Sequence, residues 1–436
     1  MNSGDRYDRF IVKYRDDSAA HSSPAALQRS LQAMATPRGR GNAMALKRLH
    51  RIATGADVVS VDRGLDRVEA ESLMRQFAAD PGVEYVEVDH IVRPALTPND
   101  PRYRRQWSYW GNNGIDADEA WDLSDGSGTV VAVLDTGITR HSDLDENVRP
   151  GYDFISSTRS SNDGDGRDGD PSDPGDWERA GQCGEGRPAR ASSWHGTHVA
   201  GTIAAVTNNG KGVAGVAHSG WIVPVRVLGT CGGHVSDVAD AIIWASGGAV
   251  AGVPENPYPA EVLNLSLSHR ASCGRTYQRA IDSAVSRGTT IVVAAGNESA
   301  DVAGSSPASC DNVIAVAATT RPGRRAGFSN YGGKVDVAAP GSHILSTLNS
   351  GSTRPETEIY GTRSGTSMAA PHVTGVVAII QSVAGTPKTP AQVEALVKST
   401  AKATRARPSR PIGAGIVNAK AALDATIAPL PPVPVD

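Results

Sequence analysis

Long apolar runs and an excess of charge of one sign are both missing from this sequence. No stretch of its 436 residues approaches the roughly 18 apolar residues that a membrane-spanning helix needs. Lys and Arg number 43 and Asp and Glu number 46, so the net charge is −3. A nearly neutral chain disfavours nucleic acid as the main partner. We therefore expect neither a membrane nor a nucleic-acid partner.

The beginning of the chain also lacks the apolar core of a secretory signal peptide. Its first residues are Met1-Asn2-Ser3-Gly4, and no apolar core follows them. The protein is therefore expected to be either cytosolic, or secreted with its signal peptide absent from this chain.

Cysteine is scarce, and the four residues include no Cys-x-x-Cys pair. This spacing disfavours a zinc cluster. Four cysteines can form two disulfides in three different ways. The alternative is a set of buried free thiols in a cytosolic protein. The cysteines are Cys183, Cys231, Cys273 and Cys310.

Residues 1–96 have the pattern of a small α+β domain. Apolar alternation predicts strands, and apolar residues at helical spacing predict helices. The predicted strands are Phe10–Tyr14, Asp57–Val61 and Val83–Val88, and the predicted helices are Pro24–Met34 and Val68–Phe77. The Pro-rich stretch Arg93–Pro101 then predicts a domain boundary, so a second domain spans residues 97–427. Residues 428–436 contain four prolines and form a predicted tail.

Beyond the boundary, apolar runs alternate with helical patterns, which is typical of parallel βαβ units. Two of the runs, Thr129–Leu134 and Thr290–Ala295, are followed by the polar residues Asp135 and Asn297. Ligands bind at the carboxyl edge of such sheets. Asp135 is either a strand-end cap or a group that orients a histidine. Asn297 is either a turn residue or an amide donor to an oxyanion.

A second motif, Ser193–Thr202, begins a helix of small residues and carries two histidines, His195 and His198. Histidines at this spacing can bind a metal, but no Glu lies between them and no third ligand follows, which disfavours zinc. Neutral imidazole near pH 7 suits a general base. His198 taken alone is expected to be a hydrogen-bonded structural residue.

The third motif, Gly365–Gly375, begins a helix with almost no polar face, so we expect it to cross the interior. Pro371 is predicted to lie in the first turn, where its missing N–H has no effect. Ser367 would then lie beside unpaired backbone N–H groups at the positive end of the helix, where a developing oxyanion is stabilised. The alternative is that Ser367 only caps the helix.

Together, Asp135, His195, Asn297 and Ser367 occur in the order and the local motifs that resemble the subtilisin-like serine proteases, the subtilases. The resemblance covers residues 99–427. It implies a three-layer α/β/α fold with a mainly parallel sheet, preceded by a small α+β, ferredoxin-like propeptide domain. It also implies that Ser367 is the nucleophile, that His195 is the general base and then acid, and that Asp135 holds the tautomer of the imidazole. Asn297 and the Ser367 N–H would form the oxyanion hole.

The resemblance also implies a binding cleft for extended peptides. Leu228–Gly233 resembles the edge segment that pairs with substrate, and Leu263–Ser268 resembles the opposite wall, although Ser268 stands where the family commonly has Gly. Glu298 is expected at the rim of the main specificity pocket, with a preference for apolar residues. The substrate-binding residues implied are Gly232, Gly233, Ser266, Leu267, Ser268, Ala294, Gly296 and Ser305.

The acidic segment Asn162–Asp173 predicts calcium binding, since its many carboxylates repel one another and Ca²⁺ takes oxygen ligands. The alternative is a solvated acidic loop. Its predicted ligands are Asp163, Asp165, Asp168, Asp170 and Asp173. Family resemblance implies a second structural calcium site with Asp143 and Asn208, in a loop one residue longer than the commonest form.

By their placement in the implied fold, Cys183 is expected to pair with Cys231 beside the cleft, and Cys273 with Cys310. Disulfides indicate an oxidising compartment, and hence secretion with the signal peptide removed. Residues 1–96 resemble, more weakly, the subtilase propeptide that assists folding and inhibits the enzyme within the same chain. Its last segment, Asp89–Leu96, would lie in the cleft and be cut near Leu96-Thr97.

The sequence thus predicts a secreted, monomeric serine endopeptidase in zymogen form, with protein and peptide substrates. Two other functions stay open. One is a catalytically inactive, calcium-dependent binding protein with the subtilase fold. The other is a calcium-dependent structural or adhesive module. The intact triad disfavours the first, and the second would keep its function after Ser367→Ala.

Overall fold

The computed structural model describes residues 7–34, 44–90, 97–404 and 410–427. These residues form two compact units, which separate between residues 90 and 97. Three predicted features fall wholly or partly outside the described ranges. They are the segment Asp89–Leu96 after residue 90, the Leu96 side of the cleavage bond Leu96-Thr97, and the tail 428–436.

The first unit is a four-stranded antiparallel sheet covered by helices. Its strand order is β2-β3-β1-β4, and its chain order is β-α-β-β-α-β apart from one short extra helix, which is the ferredoxin-like arrangement. Phe10, Leu31 and Met74 lie in its buried core. The elements are β1 Tyr7–Tyr14, α1 Ala19–Ser22, α2 Pro24–Met34, β2 Leu46–Arg51, β3 Asp57–Leu65, α3 Arg67–Ala78 and β4 Val83–Val88.

The second unit contains the remaining helices and strands. They are α4 Ala117–Ala120, β5 Val130–Asp135, β6 Tyr152–Asp153, α5 Thr158–Ser161, α6 His195–Ala204, β7 Trp221–Arg226, α7 Val235–Ala245, β8 Val262–Leu265, β9 His269–Arg270, α8 Arg275–Ser286, β10 Thr290–Ala294, β11 Ser305–Ser306, β12 Ile314–Thr319, β13 Val337–Pro340, β14 Ile344–Asn349, β15 Glu358–Arg363, α9 Thr366–Val383, α10 Pro390–Ser399 and α11 Ala419–Ile427. Short 3₁₀ turns lie at Tyr103–Arg105, Asp145–Asn147 and Val302–Gly304.

A parallel sheet of seven strands, ordered β13-β12-β10-β8-β5-β7-β6, forms the middle layer of this unit. Helices α7 and α8 pack together over one face, where Ala132 and Leu134 of β5 join their core. Helices α6 and α9 pack against each other and against the strands as the other layer. Every residue of β5 is buried because layers cover both faces. The three-layer α/β/α prediction is confirmed.

Helix α9 begins differently from the sequence prediction. Gly365 occupies the cap position and Thr366 is the first helical residue, so Ser367 lies inside the first turn and does not cap the helix. The prediction that Pro371 lies in the first turn is wrong, since it is the sixth residue of the helix. A proline there removes the hydrogen bond to the carbonyl four residues earlier, which belongs to Ser367. No helix among the described residues combines the length and apolar character that a membrane crossing requires.

Candidate active site

Asp135 and His195 meet at the carboxyl edge of the parallel sheet. Asp135 is the last residue of β5 and His195 the first residue of α6. The imidazole Nδ1 of His195 lies 2.8 Å from Oδ1 and 2.9 Å from Oδ2 of the fully buried Asp135 carboxylate. The next residue, Gly196, makes this approach possible, because a Cβ there would lie 2.2 Å from the Gly137 carbonyl oxygen.

The electrostatic environment of His195 favours its protonated form. Burial alone lowers the pKa of the imidazole, but the adjacent Asp135 carboxylate outweighs burial, so the pKa of His195 lies above its ordinary value. The cation of Arg363 acts in the opposite direction, and the carboxylate of Asp176 reinforces Asp135. His195 is therefore a base whose strength is set by one direct carboxylate and two more distant charges.

Ser367 lies in the first turn of α9, half-buried. Its Oγ donates a hydrogen bond to the carbonyl oxygen of Ser266 at 3.1 Å. In this structure the hydroxyl is thus directed to the segment after β8 and not to the imidazole of His195. Helices α6 and α9 pack against each other, and each carries its candidate residue in its first turn.

Asn297 follows β10 and is bonded to the start of α9. Its Oδ1 accepts hydrogen bonds from the N–H of Thr366 at 2.9 Å and from the Thr366 hydroxyl at 3.1 Å. The donor end, Nδ2, lies 3.7 Å from the position that a Cβ on Gly365 would take. Because the carbonyl end of the amide is held, Nδ2 is the end available to an oxyanion near the first turn of α9.

The segment with Gly232 and Gly233 is a tight turn and not a regular strand. Gly229 N–H donates to the carbonyl of Gly232 at 3.1 Å, and Gly232 has a φ of +99°, in the left-handed region that favours glycine. A Cβ on Gly233 would lie 2.0 Å from the Val227 carbonyl oxygen. The left-handed backbone thus accounts for Gly232, and close packing with no room for a side chain accounts for Gly233.

The opposite wall and the predicted pocket are connected through a short strand pair. Ser266, Leu267 and Ser268 follow β8 and lead into β9, which pairs with β11 so that Arg270 faces Ser305. A Cβ on Gly296 would lie 2.8 Å from the Ser305 hydroxyl oxygen, and Ala294 is the buried last residue of β10. The structure therefore brings Gly296 and Ser305 together and ties the wall segment to them.

Two disulfides are present, Cys183–Cys231 and Cys273–Cys310. The first joins the loop that follows the acidic segment to the turn at Gly232. The second joins Cys273, two residues before α8, to the segment that precedes β12. This is the pairing expected from the implied fold, and no free cysteine remains.

Four of the five carboxylates predicted to bind calcium are bonded to protein donors. Asp163 forms an ion pair with Arg226, which is buried and also pairs with Asp153. The buried Asp173 accepts from the Thr136 hydroxyl at 2.6 Å and from the Gly175 N–H at 2.9 Å. The carboxylates of Asp163, Asp168 and Asp170 each accept a hydrogen bond from the backbone N–H two residues later. For Asp163 the donor is the N–H of Asp165. These contacts neutralise or satisfy carboxylates that the sequence argument assigned to a cation.

The second predicted calcium site is bonded in the same way. Asp143 accepts from the Asn209 side chain at 2.7 Å and from the Val213 N–H at 2.9 Å, and Asn208 Oδ1 accepts from the Asn99 N–H at 3.0 Å. Within the described residues no group of three or more His, Cys, Asp or Glu side chains could hold a metal. The side chains do not converge as the predicted ligand sets require, and calcium binding stays a prediction.

Three residues around the site were not singled out from the sequence. Thr136 donates its N–H to Asp135 Oδ1 at 2.8 Å, and its hydroxyl accepts from the Gly196 N–H at 3.0 Å. Arg363 donates to the carbonyl of Ser193, two residues before His195. Asn264 is an amide inside the buried strand β8. Only Asn264 carries a sequence signal, since a polar residue within an apolar strand indicates a bonded partner.

Comparison with known proteins shows the family to which this chain belongs. The subtilase family model matches residues 126–415. An extracellular protease of Xanthomonas campestris pv. campestris is 58% identical over 424 residues, covering 97% of this chain and 73% of that protein. An extracellular basic protease of Dichelobacter nodosus is 45% identical over 439 residues, covering 98% and 72%. A solved structure of proteases from Pseudoalteromonas arctica is 52% identical, with a TM-score of 0.75, and covers 76% of this chain and all of that one (100%). The chain belongs to the subtilase family of serine endopeptidases.

Proposed function

We propose that the protein hydrolyses peptide bonds through a triad of Ser367, His195 and Asp135. The observation that supports this most directly is the contact of 2.8 Å between His195 Nδ1 and the buried Asp135 carboxylate. A buried carboxylate that accepts from Nδ1–H leaves Nε2 as the basic nitrogen. The imidazole is thereby prepared to accept a proton from a hydroxyl on its other side.

In the proposed reaction the hydroxyl of Ser367 turns from Ser266 towards Nε2 of His195. Its Oγ attacks the carbonyl carbon of the substrate, and its proton passes to Nε2. The tetrahedral intermediate collapses when His195 gives this proton to the leaving amine and the C–N bond breaks. Water then attacks the acyl-enzyme by the same route and releases the carboxylic acid and Ser367.

Asn297 is proposed to stabilise the tetrahedral intermediate together with the backbone N–H of Ser367. The bonds from Thr366 to Asn297 Oδ1 support this role, because they hold the amide with Nδ2 as its free donor. Donors fixed before the reaction stabilise a developing oxyanion without reorganisation. We propose the turn at Gly232–Gly233 and the wall Ser266–Ser268 as the two sides of the cleft, with Ala294, Gly296 and Ser305 in the specificity pocket.

We further propose that the protein is secreted as a zymogen whose residues 1–96 act as an inhibitory propeptide. The two disulfides and the relatives named as extracellular proteases support secretion. The ferredoxin-like fold of the first unit supports a separate folded domain. Cleavage near Leu96-Thr97 would then separate residues 1–96 from the catalytic domain, residues 97–427, which would act as a monomer.

Calcium is kept in the proposal only as a structural ion. Subtilases commonly bind structural calcium, and any such ion would lie outside the proton-transfer steps above. Thermal unfolding in a chelator, followed by re-addition of Ca²⁺, tests the idea. A melting temperature that falls in chelator and recovers with Ca²⁺ supports a calcium site, and an unchanged melting temperature contradicts it.

The central experiment compares wild type, Ser367→Ala and Ser364→Ala by peptide hydrolysis and intact mass. Ser364 is an exposed neighbour whose hydroxyl accepts from the His343 N–H, so it controls for the loss of a nearby serine. We expect wild type and Ser364→Ala to hydrolyse peptides and to be cut near Leu96, while Ser367→Ala does neither. Wild-type hydrolysis by Ser367→Ala would remove Ser367 from the mechanism. If the wild type hydrolyses peptides but stays uncut, only the self-processing part of the proposal is contradicted.

A further inference from the structure

The proline in helix α9 leaves the carbonyl group of Ser367 without its helical partner. An N–H at position 371 would normally donate to that carbonyl oxygen, and Pro371 has none. The partner comes instead from outside the helix, because the Ser266 hydroxyl donates to the Ser367 carbonyl oxygen at 2.8 Å. A hydrogen bond from Ser266, the first residue after β8, thus takes the place of a helical hydrogen bond at the candidate nucleophile.

Ser266 contacts Ser367 in both directions. While its hydroxyl donates to the Ser367 carbonyl, its own carbonyl accepts from Ser367 Oγ at 3.1 Å. The Ser266 side chain therefore holds the main chain of Ser367, and the Ser266 carbonyl accepts a hydrogen bond from the Ser367 hydroxyl. Ser266 is buried, with 3% of its surface exposed, so water does not compete readily for these bonds.

Asn264 determines which way the Ser266 hydroxyl points. Its Nδ2 donates to Ser266 Oγ at 2.9 Å, which occupies a lone pair of the hydroxyl and directs the O–H towards the Ser367 carbonyl. The Asn264 carbonyl end is held as well, since the Thr374 hydroxyl donates to Oδ1 at 2.9 Å. Asn264 and Thr374 are both fully buried.

These bonds form a closed path between β8 and α9. It starts at Thr374 in the body of the helix, passes through Asn264 and Ser266, and returns to the helix at Ser367. Because the Ser367 carbonyl can only accept, Ser266 must donate to it, and Asn264 and Ser266 each accept one bond and donate the next. The path therefore connects the first turn of α9 to the body of the same helix, where Pro371 cannot form the helical hydrogen bond.

We propose that Asn264 is a positioning residue for the nucleophile, acting through the Ser266 hydroxyl on the main chain of Ser367. The inference rests on the proposed function of Ser367. Loss of the path frees the Ser367 carbonyl and lets the first turn of α9 shift, which displaces both Oγ and the N–H offered to the oxyanion. A shift of about 1 Å in a reacting group reduces rates by roughly 10²-fold.

The test is a double-mutant cycle of Asn264→Ala and Ser266→Ala, with Ser266→Thr as the conservative variant that keeps the hydroxyl. Turnover, KM, melting temperature and the labelling rate of Ser367 by a serine-directed phosphonate are measured for each. Ser309→Ala controls for the loss of a buried serine hydroxyl, since Ser309 is 8% exposed and its Oγ has no partner among the described residues.

We expect turnover and labelling to fall about 10- to 100-fold in either single variant, with KM within about twofold of wild type. The double variant should lose no more than the worse single variant, because Asn264 acts through Ser266. Ser309→Ala should retain near wild-type turnover, and Ser266→Thr, which keeps the hydroxyl, should lose less turnover and labelling than Ser266→Ala.

A structural role alone would lower the melting temperature of Asn264→Ala and leave its turnover unchanged well below that temperature, which would overturn the proposal. Independent, multiplicative losses in the double variant would overturn it too. Ser367→Ala separates the two ideas. If that variant keeps wild-type hydrolysis, the proposed function fails, whereas an inactive Ser367→Ala beside a fully active Asn264→Ala refutes the positioning role only.

Discussion

Asp173 accepts a hydrogen bond of 2.6 Å from the hydroxyl of Thr136, the residue that follows Asp135. The same hydroxyl accepts from the Gly196 N–H, next to His195, at 3.0 Å. Thr136 thus connects the acidic segment to the backbone beside both the carboxylate and the imidazole. A side chain predicted to bind calcium is thus also bonded to the residue that contacts both elements of the site.

Replacing Thr136 by Val should therefore damage both stability and activity. Val keeps the shape but leaves the Gly196 N–H without its partner and removes a donor to the buried Asp173 carboxylate. We expect the free energy of unfolding to fall by about 1–3 kcal/mol, as for other buried groups left unpaired. Denaturant unfolding measures this, and Thr136→Ser, which keeps the hydroxyl, should stay close to wild type. Equal stability of the Val and Ser variants would contradict the connecting role.

Asn297→Ala should reduce turnover by about 10²–10³, the loss seen when subtilisin loses its amide donor to the oxyanion. Alanine also removes the acceptor for Thr366, so stability falls as well. Asn297→Asp separates the two effects, because it keeps Oδ1 for the Thr366 N–H and loses the Nδ2 donor. We expect it to be as slow as Asn297→Ala but nearer to wild type in melting temperature. Wild-type turnover in either variant would remove Asn297 from the mechanism.

The pH profile should report the charges around His195. Catalysis needs neutral imidazole, so activity is lost as pH falls through the pKa of His195 in the free enzyme. Since burial is outweighed by Asp135 and this pKa is raised, the acid limb of kcat/KM should lie above pH ~6.5, the ordinary value for histidine.

Arg363→Gln should move this limb to still higher pH. Arg363 lowers the pKa of His195, so removing the cation leaves only burial to oppose Asp135 and Asp176. Arg363→Lys keeps the charge and should leave the limb near its wild-type position. The exposed Arg324→Gln serves as a charge-matched control. A limb that stays in place, or moves to lower pH, in Arg363→Gln would show that Arg363 does not influence His195 electrostatically.

Loss of the Cys183–Cys231 disulfide should destabilise the protein. The bond joins residues 48 positions apart, and the one between Cys273 and Cys310 joins residues 37 apart. Loops of this length correspond to about 4 kcal/mol each when the stabilisation is ascribed to chain entropy. We expect the double Ser variant of either pair to lose about 2–5 kcal/mol in unfolding free energy. Thiol titration of the denatured, unreduced protein should find no free cysteine, and four titratable thiols would contradict both bonds.

Much of the site was predictable because its residues follow strongly patterned elements. The apolar run before Asp135 and the small-residue helix after Ser193 both indicate their secondary structure within one or two residues. The resemblance then supplied the relation between them, which no local pattern contains. The contact between Asp135 and His195 depends on a sheet and a helix that meet only in the folded chain.

Two features of the fold, the position of Pro371 and strand β2, differ from the sequence prediction because they depend on contacts between distant parts of the chain. Pro371 was placed in the first turn because an interior proline leaves a carbonyl unpaired, but Ser266, about 100 residues earlier, provides the missing donor. Strand β2, Leu46–Arg51, was not predicted because four of its six residues are Lys, Arg or His. Such charge is common on an edge strand, which is where the sheet order places it.

The pairing of strand β5 also determines how much of the chain must be synthesised before the active site can form. Val130 pairs with Trp221 and Val131 with Val262, so the strand that ends in Asp135 has no neighbour in the sheet until much later segments have been synthesised. At roughly 5–20 residues per second, that interval is on the order of ten seconds, and Ser367 follows later still. A nascent or truncated chain that lacks these segments contains Asp135 without a site around it. We therefore expect proteolytic activity to begin only after most of the second unit has been synthesised.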